Sequence, residues 1–270
     1  MFKSLVIGNP SIDILNGKIY QPGGPVAYVA NTLSLIGLEK IKIISSFDKE
    51  YSINHFDSKI TTNIDNSNTT TKFNTYYKNS VRYQILESKA SILNLNQISN
   101  KKLLSDIVFF TPVMDEIKIS DTNKIVNNNE DTFFVSLPQG WIRKNNQKNI
   151  TYDFSNMKLL PTFDIIFFSE EEIYLSKIAK NELLDLAKVL VITNGKNGST
   201  IYYKNNTFKI DAHIANTIDT LGAGDIYAAV FSATYFETKN LIIAGEKASK
   251  IASKSTAYRG LKSVNSNILI

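Results

Sequence analysis

Cysteine is absent from the 270 residues. Structural disulfides, thiol catalysis and Cys-ligated metal sites are therefore excluded. Histidine is scarce, with only His55 and His213 present, so a His-based zinc site or a Ser-His-Asp triad has almost nothing to work with. No apolar run approaches the ~20 residues that a transmembrane helix needs. The N-terminal stretch from Met1 to Leu15 reads directly into a strand, without the small-residue cleavage site of a signal peptide. Neither sign of charge dominates: 30 basic against 25 acidic residues leave a net charge of +5. The lysines are scattered, whereas a nucleic-acid binder gathers its cations on one face with aromatics between them. The densest basic spot, Arg143, Lys144 and Lys148, reads as a loop. The expectation is a cytoplasmic protein with no nucleic-acid or membrane partner.

With 43% hydrophobic and 20% charged residues, the composition is that of a globular chain, which excludes disorder and collagen-like structure. Short continuous apolar runs at Leu5–Gly8, Ile41–Ile44, Ile107–Phe110, Phe133–Leu137, Ile165–Phe168 and Val189–Thr193 suit parallel strands covered on both faces. Helical patterns separate them. One runs from Pro25 to Ile36, with Gly37 as its stop, another from Glu170 to Lys188. Two more, Gly224–Glu237 and roughly Lys239–Tyr258, close the chain. This rhythm predicts a three-layer α-β-α core around a mostly parallel sheet.

Two segments depart from it. Ser199–Tyr203 and Thr207–Asp211 read as a hairpin around Asn205 and Asn206. From Thr70 to Leu86 the period is two, with Asn79 and Ser80 as turn residues between two strands. The polar character of this second hairpin leaves one face for water or a ligand. Asn-rich stretches at Asn123–Glu130 and Lys144–Asn149 read as exposed loops or helix ends.

The most informative stretch is Asp219-Thr220-Leu221-Gly222-Ala223-Gly224-Asp225. Three small residues stand at the mouth of a helix whose apolar stripe is Ile226, Ala229, Val230 and Ala233. A helix start carries unpaired N–H groups and positive partial charge, so an anion can approach the amides of Gly222, Ala223 and Gly224 closely. Asp225 at the rim, ionised at neutral pH, can take a proton from a hydroxyl about to attack a bound phosphate. Anion hole plus carboxylate suggests phosphoryl transfer to an alcohol. A tight turn with Asp225 as helix cap is the plainer alternative.

This string resembles the C-terminal signature of the PfkB carbohydrate kinases, which have the ribokinase-like fold. Gly8-Asn9-Pro10-Ser11-Ile12-Asp13 is similar to that family's first strand with its sugar-binding Asp. Gly23-Gly24 resembles its di-glycine substrate loop, and the hairpin with Tyr77 and Arg82 its lid. Val191–Gly198 looks like the strand and turn that pass the nucleotide.

The resemblance implies one ribokinase-like domain over residues 1–270, with a β lid from about 12–22 and 70–87. It implies ATP as donor, Mg²⁺, and a small sugar, polyol or nucleoside as acceptor. Asp225 would be the base, with the amides of Gly222, Ala223 and Gly224 as the anion hole. Asp13, Gly23, Gly24, Asn9, Gln139 and Arg82 would bind the acceptor, and Thr193, Gly195, Ser169 and Thr220 the nucleotide. Glu172 would hold the metal through water.

Several positions have a second reading. Ser169 followed by Glu170, Glu171 and Glu172 is also a good helix cap, and Ser169 stands where the family has Asn. Asp13 could sit in an internal ion pair. Arg82 could face solvent, and Asn9 is similarly ambiguous. Tyr28 replaces an Asn of many sugar-binding members, which argues against a strict ribokinase. Pro138-Gln139-Gly140-Trp141-Ile142-Arg143 is similar to a turn of some archaeal and plant-like members, with Trp141 expected to pack. A nucleoside kinase, or a ligand-binding protein that has lost catalysis, remains an alternative. The expected state is a monomer or a homodimer through the lid.

Overall fold

The computed structural model describes residues 2–78, 81–146, 149–176 and 178–270, with the side chains of residues 77, 78, 81, 82, 176 and 180 outside that description. In chain order come β1 (Lys3–Ile7), β2 (Ser11–Leu15), β3 (Ile19–Gly23), α1 (Pro25–Leu35), β4 (Lys40–Phe47), β5 (Thr61–Asn66), β6 (Thr71–Lys78) and β7 (Val81–Ser88). Then follow α2 (Asn96–Ser99), β8 (Ile107–Phe110), α3 (Ile119–Asn127), β9 (Phe133–Ser136), α4 (Gln139–Ile142), β10 (Arg143–Asn145) and β11 (Ile150–Tyr152). The chain ends with β12 (Phe163–Ser169), α5 (Glu170–Ser176), α6 (Lys180–Leu184), β13 (Ala187–Thr193), β14 (Ser199–Tyr203), β15 (Asn206–Ile210), α7 (Ala223–Thr238) and α8 (Leu241–Ser255).

Nine strands form the central sheet in the order β15-β14-β13-β12-β9-β8-β1-β4-β5. It is parallel except where β14 pairs antiparallel with β13 and with β15. Successive residues of a strand point to opposite faces, and here both faces are apolar. Val6, Ile43, Phe109, Val135, Phe167 and Val191 pack with α1, α7 and α8 on one side. Ile7, Ile44, Phe110, Phe134, Phe168 and Leu190 pack with Ile125, Trp141 and Leu183 on the other. The continuous Leu-Val-Ile-Phe runs are the consequence of that double cover.

A second, four-stranded sheet has the order β3-β2-β6-β7. β2 pairs antiparallel with β3 and parallel with β6, and β6 pairs antiparallel with β7. The turn assigned to Asn79 and Ser80 lies outside the described residues. Register places Thr75 opposite Gln84 and Phe73 opposite Leu86. The inner face therefore carries Phe73, Thr75 and Gln84, all buried, while Tyr76 and Tyr83 stack on each other with ring centroids 5.5 Å apart.

Three expectations need correction. The helix expected from Glu170 to Lys188 is two short helices, and Ala187 and Lys188 already belong to β13. The turn between β14 and β15 is formed by Lys204, with φ 52°, and Asn205, so Asn206 is a strand residue. Arg143 is not in a loop. It opens β10, which pairs antiparallel with β11, and it is buried.

Candidate active site

Gly222 caps the N-terminus of α7 in the left-handed region, with φ 78°. That backbone favours glycine, and so does the space around it: a Cβ there would lie 2.3 Å from Cε1 of Tyr28. The turn is held from behind. Asp219 accepts the Leu221 N–H at 3.0 Å through Oδ1 and the Gly260 N–H at 3.1 Å through Oδ2. The Ala223 N–H closes onto the Thr220 carbonyl at 3.2 Å, so it is already engaged. Gly222 and Gly224 keep no such main-chain partner among the described residues. The cradle in this state thus has two uncommitted amides, not the three expected from the sequence.

Asp225, in the first turn of α7, shares a cavity of about 290 Å³ with Gly222, Gly224, Thr220, Asp13, Gly24 and Gln139. Burial pushes its carboxyl up to about 7, with the Glu172 carboxylate and Asp13 adding to the shift and Arg143 opposing it. Desolvation and like charge both disfavour the ionised form. The expectation of a fully ionised Asp225 at neutral pH is therefore corrected: in this cleft it is poised near neutrality, where a general base works well.

The other end of the cavity is built by the small sheet. Asp13 lies on β2 and is buried, and a Cβ at Gly23 would come 3.2 Å from its Oδ2. Gly24, with φ 92°, caps α1, and a Cβ there would meet the Ser11 nitrogen at 2.6 Å. Gly23 lets the loop close on the carboxylate, and Gly24 lets it close on the backbone of Pro10 and Ser11. Ser11, Gln21, Thr75 and Gln84 add polar groups to the same walls. Sequence reasoning missed these four; the alternation of Thr75 along β6 was the only available signal.

Asn9 does not line the cavity. Its side chain accepts the Ser46 N–H at 2.7 Å and donates to the Ser91 carbonyl at 3.1 Å, and the residue is fully buried. It ties β4 to the loop after β7, because a buried amide must be satisfied. Arg82 stands opposite Tyr77 in the β6–β7 register, and its side chain lies outside the described residues.

Ser169 and Glu172 form a reciprocal capping box at the start of α5. The Glu172 N–H donates to Ser169 Oγ at 3.2 Å, and the Ser169 N–H donates to Glu172 Oε2 at 2.9 Å. This is the helix-start pattern that satisfies two orphan amides at once. The remaining oxygen, Oε1, accepts from Gln139 Nε2 at 3.2 Å, which ties the box to the cavity wall. Ser169 pairs in register with Thr193 at the ends of β12 and β13, and Gly195, with φ 47°, opens the next turn. Ser169, Thr193 and Gly195 therefore group at the carboxyl ends of parallel strands, where open α/β sheets take ligands. Among the described residues no group of three His, Cys, Asp or Glu could hold a metal directly. A single carboxylate beside phosphate oxygens suits Mg²⁺, which keeps most of its waters.

Trp141 packs, as expected. It is buried, stacks at 6.3 Å on Phe163, and donates its indole N–H to the Ile117 carbonyl at 2.6 Å. Its neighbour Arg143 lines the cavity, a placement the sequence did not reveal.

Solved structures of kinases share this architecture. A pyrophosphate-dependent kinase in the ribokinase family superposes with a TM-score of 0.83 at 19% identity, covering 98% of this chain and 99% of that one. Ribokinase from Thermotoga maritima gives 0.70 at 18% identity, covering 100% and 98%. The nucleoside kinase of Methanocaldococcus jannaschii gives 0.66 at 17%, covering 97% and 94%. The fold is thus that of the ribokinase-like small-molecule kinases. The family model for the pfkB family carbohydrate kinases matches residues 61–267, and the chain belongs to that family. No curated protein matches the chain in sequence.

Proposed function

We propose that this kinase transfers the γ-phosphoryl group of ATP to a hydroxyl of a small neutral polyol or sugar, acting in the cytoplasm. Asp225 is the base and the Gly222–Gly224 turn is the anion hole. The observation that carries the reading is the shared cavity: one carboxylate at a helix mouth, next to uncommitted amides, faces walls of Ser11, Asp13, Gln21, Thr75 and Gln84. Such groups recognise hydroxyls by donating and accepting at once.

The aromatic rings favour a polyol over a nucleoside. Phe73 is buried, with the Arg143 guanidinium 4.9 Å from its ring centroid, and Tyr28 packs on Gly222. Neither ring offers an open face for a base to stack on.

In the transfer, the acceptor hydroxyl gives its proton to Asp225 and its oxygen bonds to the γ-phosphorus. The bond to the β,γ-bridging oxygen breaks, and its electrons leave with ADP. Positioning and charge stabilisation do most of the work in such a loose transition state. Thr220 flanks the hole, and Thr193, Gly195 and Ser169 form the ledge along which the donor's phosphates lie. Ile214, fully exposed, and Ile218, 61% exposed, lie on the segment that leads in sequence to the Gly222 turn, and they would give a nucleobase apolar surface to cover. Glu172, with Gln139 fixing its orientation, would hold Mg²⁺ through water, and the ion would neutralise charge on the donor phosphates. The small sheet, over 11–23, 71–78 and 81–88, closes as a lid on the acceptor and keeps water out. Residues 1–270 act as one unit, as a monomer or as a homodimer through that lid.

The test is an acceptor panel of cyclic polyols, sugars and nucleosides, with Mg²⁺ and either ATP or pyrophosphate, read by appearance of the phosphorylated product. ATP-dependent product with a polyol or sugar is expected. Product only with pyrophosphate would replace the donor, the donor that one structural neighbour's name states for that protein. No product with any acceptor, alongside measurable ligand binding, would leave a non-catalytic binding protein.

A further inference from the structure

Among the described residues that line the cavity, Arg143 is the one cation, set against Asp13, Asp219 and Asp225. It is 5% exposed, and a buried guanidinium must be held and compensated. The hold is elaborate. Nη1 donates to the Val113 carbonyl at 3.3 Å, and the guanidinium carbon lies 4.9 Å from the centroid of Phe73. Val113 is itself fixed, since its N–H donates to both oxygens of the buried Glu116 carboxylate at 2.8 and 3.0 Å. Trp141, two residues upstream, is anchored in the core by its bond to Ile117. The guanidinium is therefore pre-positioned before any ligand arrives.

Its compensation is incomplete. Nε is buried and has no hydrogen-bond partner among the described residues. Asp219 spends both oxygens on the amides of Leu221 and Gly260. Asp225 feels Arg143 as an opposing charge, which places the two within electrostatic reach across the cavity.

We propose that Arg143 is a further catalytic residue, whose guanidinium binds the oxygens of the phosphoryl group as it passes to the acceptor. This rests on the kinase reading above. The planar fork of an arginine matches two phosphate oxygens, and a lysine cannot reproduce it. Arg143 keeps its protons throughout. The acceptor's proton goes to Asp225, the new P–O bond forms on the acceptor oxygen, and the old bond's electron pair departs with the diphosphate. The incoming phosphoryl adds negative charge to a cavity already lined with carboxylates, and Arg143 offsets it.

The experiment compares wild type with Arg143→Met, Arg143→Lys and Arg143→Ala. Arg143→Met keeps an apolar stem over Phe73. It is expected to lose about 10²-fold or more in kcat while the acceptor KM stays within about threefold. Arg143→Lys is expected to recover only a minor part, because it is not bidentate. Added guanidinium ion is expected to restore activity to Arg143→Ala, which a purely structural role would not allow. With inorganic phosphate as probe, the free enzyme's affinity is expected to fall about tenfold or more in Arg143→Met. A kcat within about threefold of wild type for Arg143→Met would overturn the proposal. So would unchanged phosphate affinity together with no guanidinium rescue. Failure of the kinase reading shows separately, as a wild-type protein that forms no product, and the phosphate titration then still decides whether Arg143 binds the group.

Discussion

The ring of Tyr28 lies directly over the Cα of Gly222, so close that a Cβ on that glycine would sit 2.3 Å from Cε1 and 2.4 Å from Cζ. The two residues are 194 positions apart in sequence, yet each defines the other's space. Tyr28 is 1% exposed and cannot swing away, and Gly222 holds a φ of 78°. Gly222→Ala therefore meets two costs, about 1–3 kcal/mol for the strained backbone and a clash with a fixed ring. The expected outcome is a folded protein with kcat reduced about 10²-fold, because the amide cradle must shift. Adding Tyr28→Ala should relieve the steric part but not the backbone strain. A double-mutant cycle in kcat and thermal midpoint checks this, and strict additivity would mean that the two positions do not communicate.

As the proposed base, Asp225 is expected to set the pH dependence. Its carboxyl is pushed up to about 7 by burial, with Glu172 and Asp13 adding and Arg143 opposing. A base must be ionised to act, so kcat/KM should rise with pH up to about 7 and level off above it, reporting the free enzyme. The sign for stability is opposite. A carboxyl raised in the folded state penalises folding fully above about 7, and that penalty fades as pH falls toward the unfolded value near 4. Asp225→Asn should lose about 10²–10⁴-fold in turnover. It should also melt higher than wild type at pH 8, with the gap closing toward pH 4. Nucleotide binding should be nearly unchanged. Thermal scans at pH 4, 6 and 8 with matched kinetics test both arms; a variant that keeps its turnover removes the assigned base.

Much of this was legible because it is local. The Leu-Val-Ile-Phe runs announce strands covered on both sides, and Gly222-Ala223-Gly224-Asp225 announces a glycine-capped helix start. What was not legible depends on partners distant in sequence. Asn9 looks like a ligand-binding amide until Ser46 and Ser91 claim its side chain. Arg143 sits in a run of Lys and Asn that reads as surface, yet it is buried against Phe73 and Val113, brought in from other elements. β5 is Thr-Thr-Asn-Ile-Asp-Asn, polar enough to pass for a loop. It is a strand because it pairs with β4 at the sheet edge, where polar residues are tolerated. The small sheet was readable as a hairpin by its period, but the register that turns Gln84 inward was not.

Glu116 has no exposed surface to speak of and no cationic partner among its hydrogen bonds. It accepts from the amides of Asn9 at 2.9 Å, Val113 at 2.8 and 3.0 Å and Met114 at 2.7 Å. Burial pushes its carboxyl up, and those amide bonds pull it back. Glu116→Gln keeps the shape but turns an NH₂ toward amide donors, leaving buried donors unpaired. A loss of about 2–3 kcal/mol is expected, read as a lower urea midpoint at unchanged slope. Since Val113 also carries Arg143, kcat should fall with it. A variant as stable as wild type would show that the loop from Thr111 to Ile117 is held by other means.

The capping box of Ser169 and Glu172 lets structural and metal roles be separated by chemistry. Gln serves at the third helical position of such a box nearly as well as Glu, so Glu172→Gln should retain the bond from the Ser169 amide and melt close to wild type. It removes the charge, however. If this carboxylate holds Mg²⁺ through water, the Mg²⁺ concentration for half-maximal activity should rise about 10–100-fold. Ser169→Ala is the mirror image. It breaks the Oγ contact to the Glu172 amide and should cost about 1 kcal/mol of stability, with a smaller change in Mg²⁺ requirement. Removing one carboxylate neighbour should also lower the pH at which Asp225 ionises, moving the acid limb of kcat/KM downward in Glu172→Gln but not in Ser169→Ala. Equal Mg²⁺ requirements in wild type and Glu172→Gln would confine Glu172 to its helix-capping role.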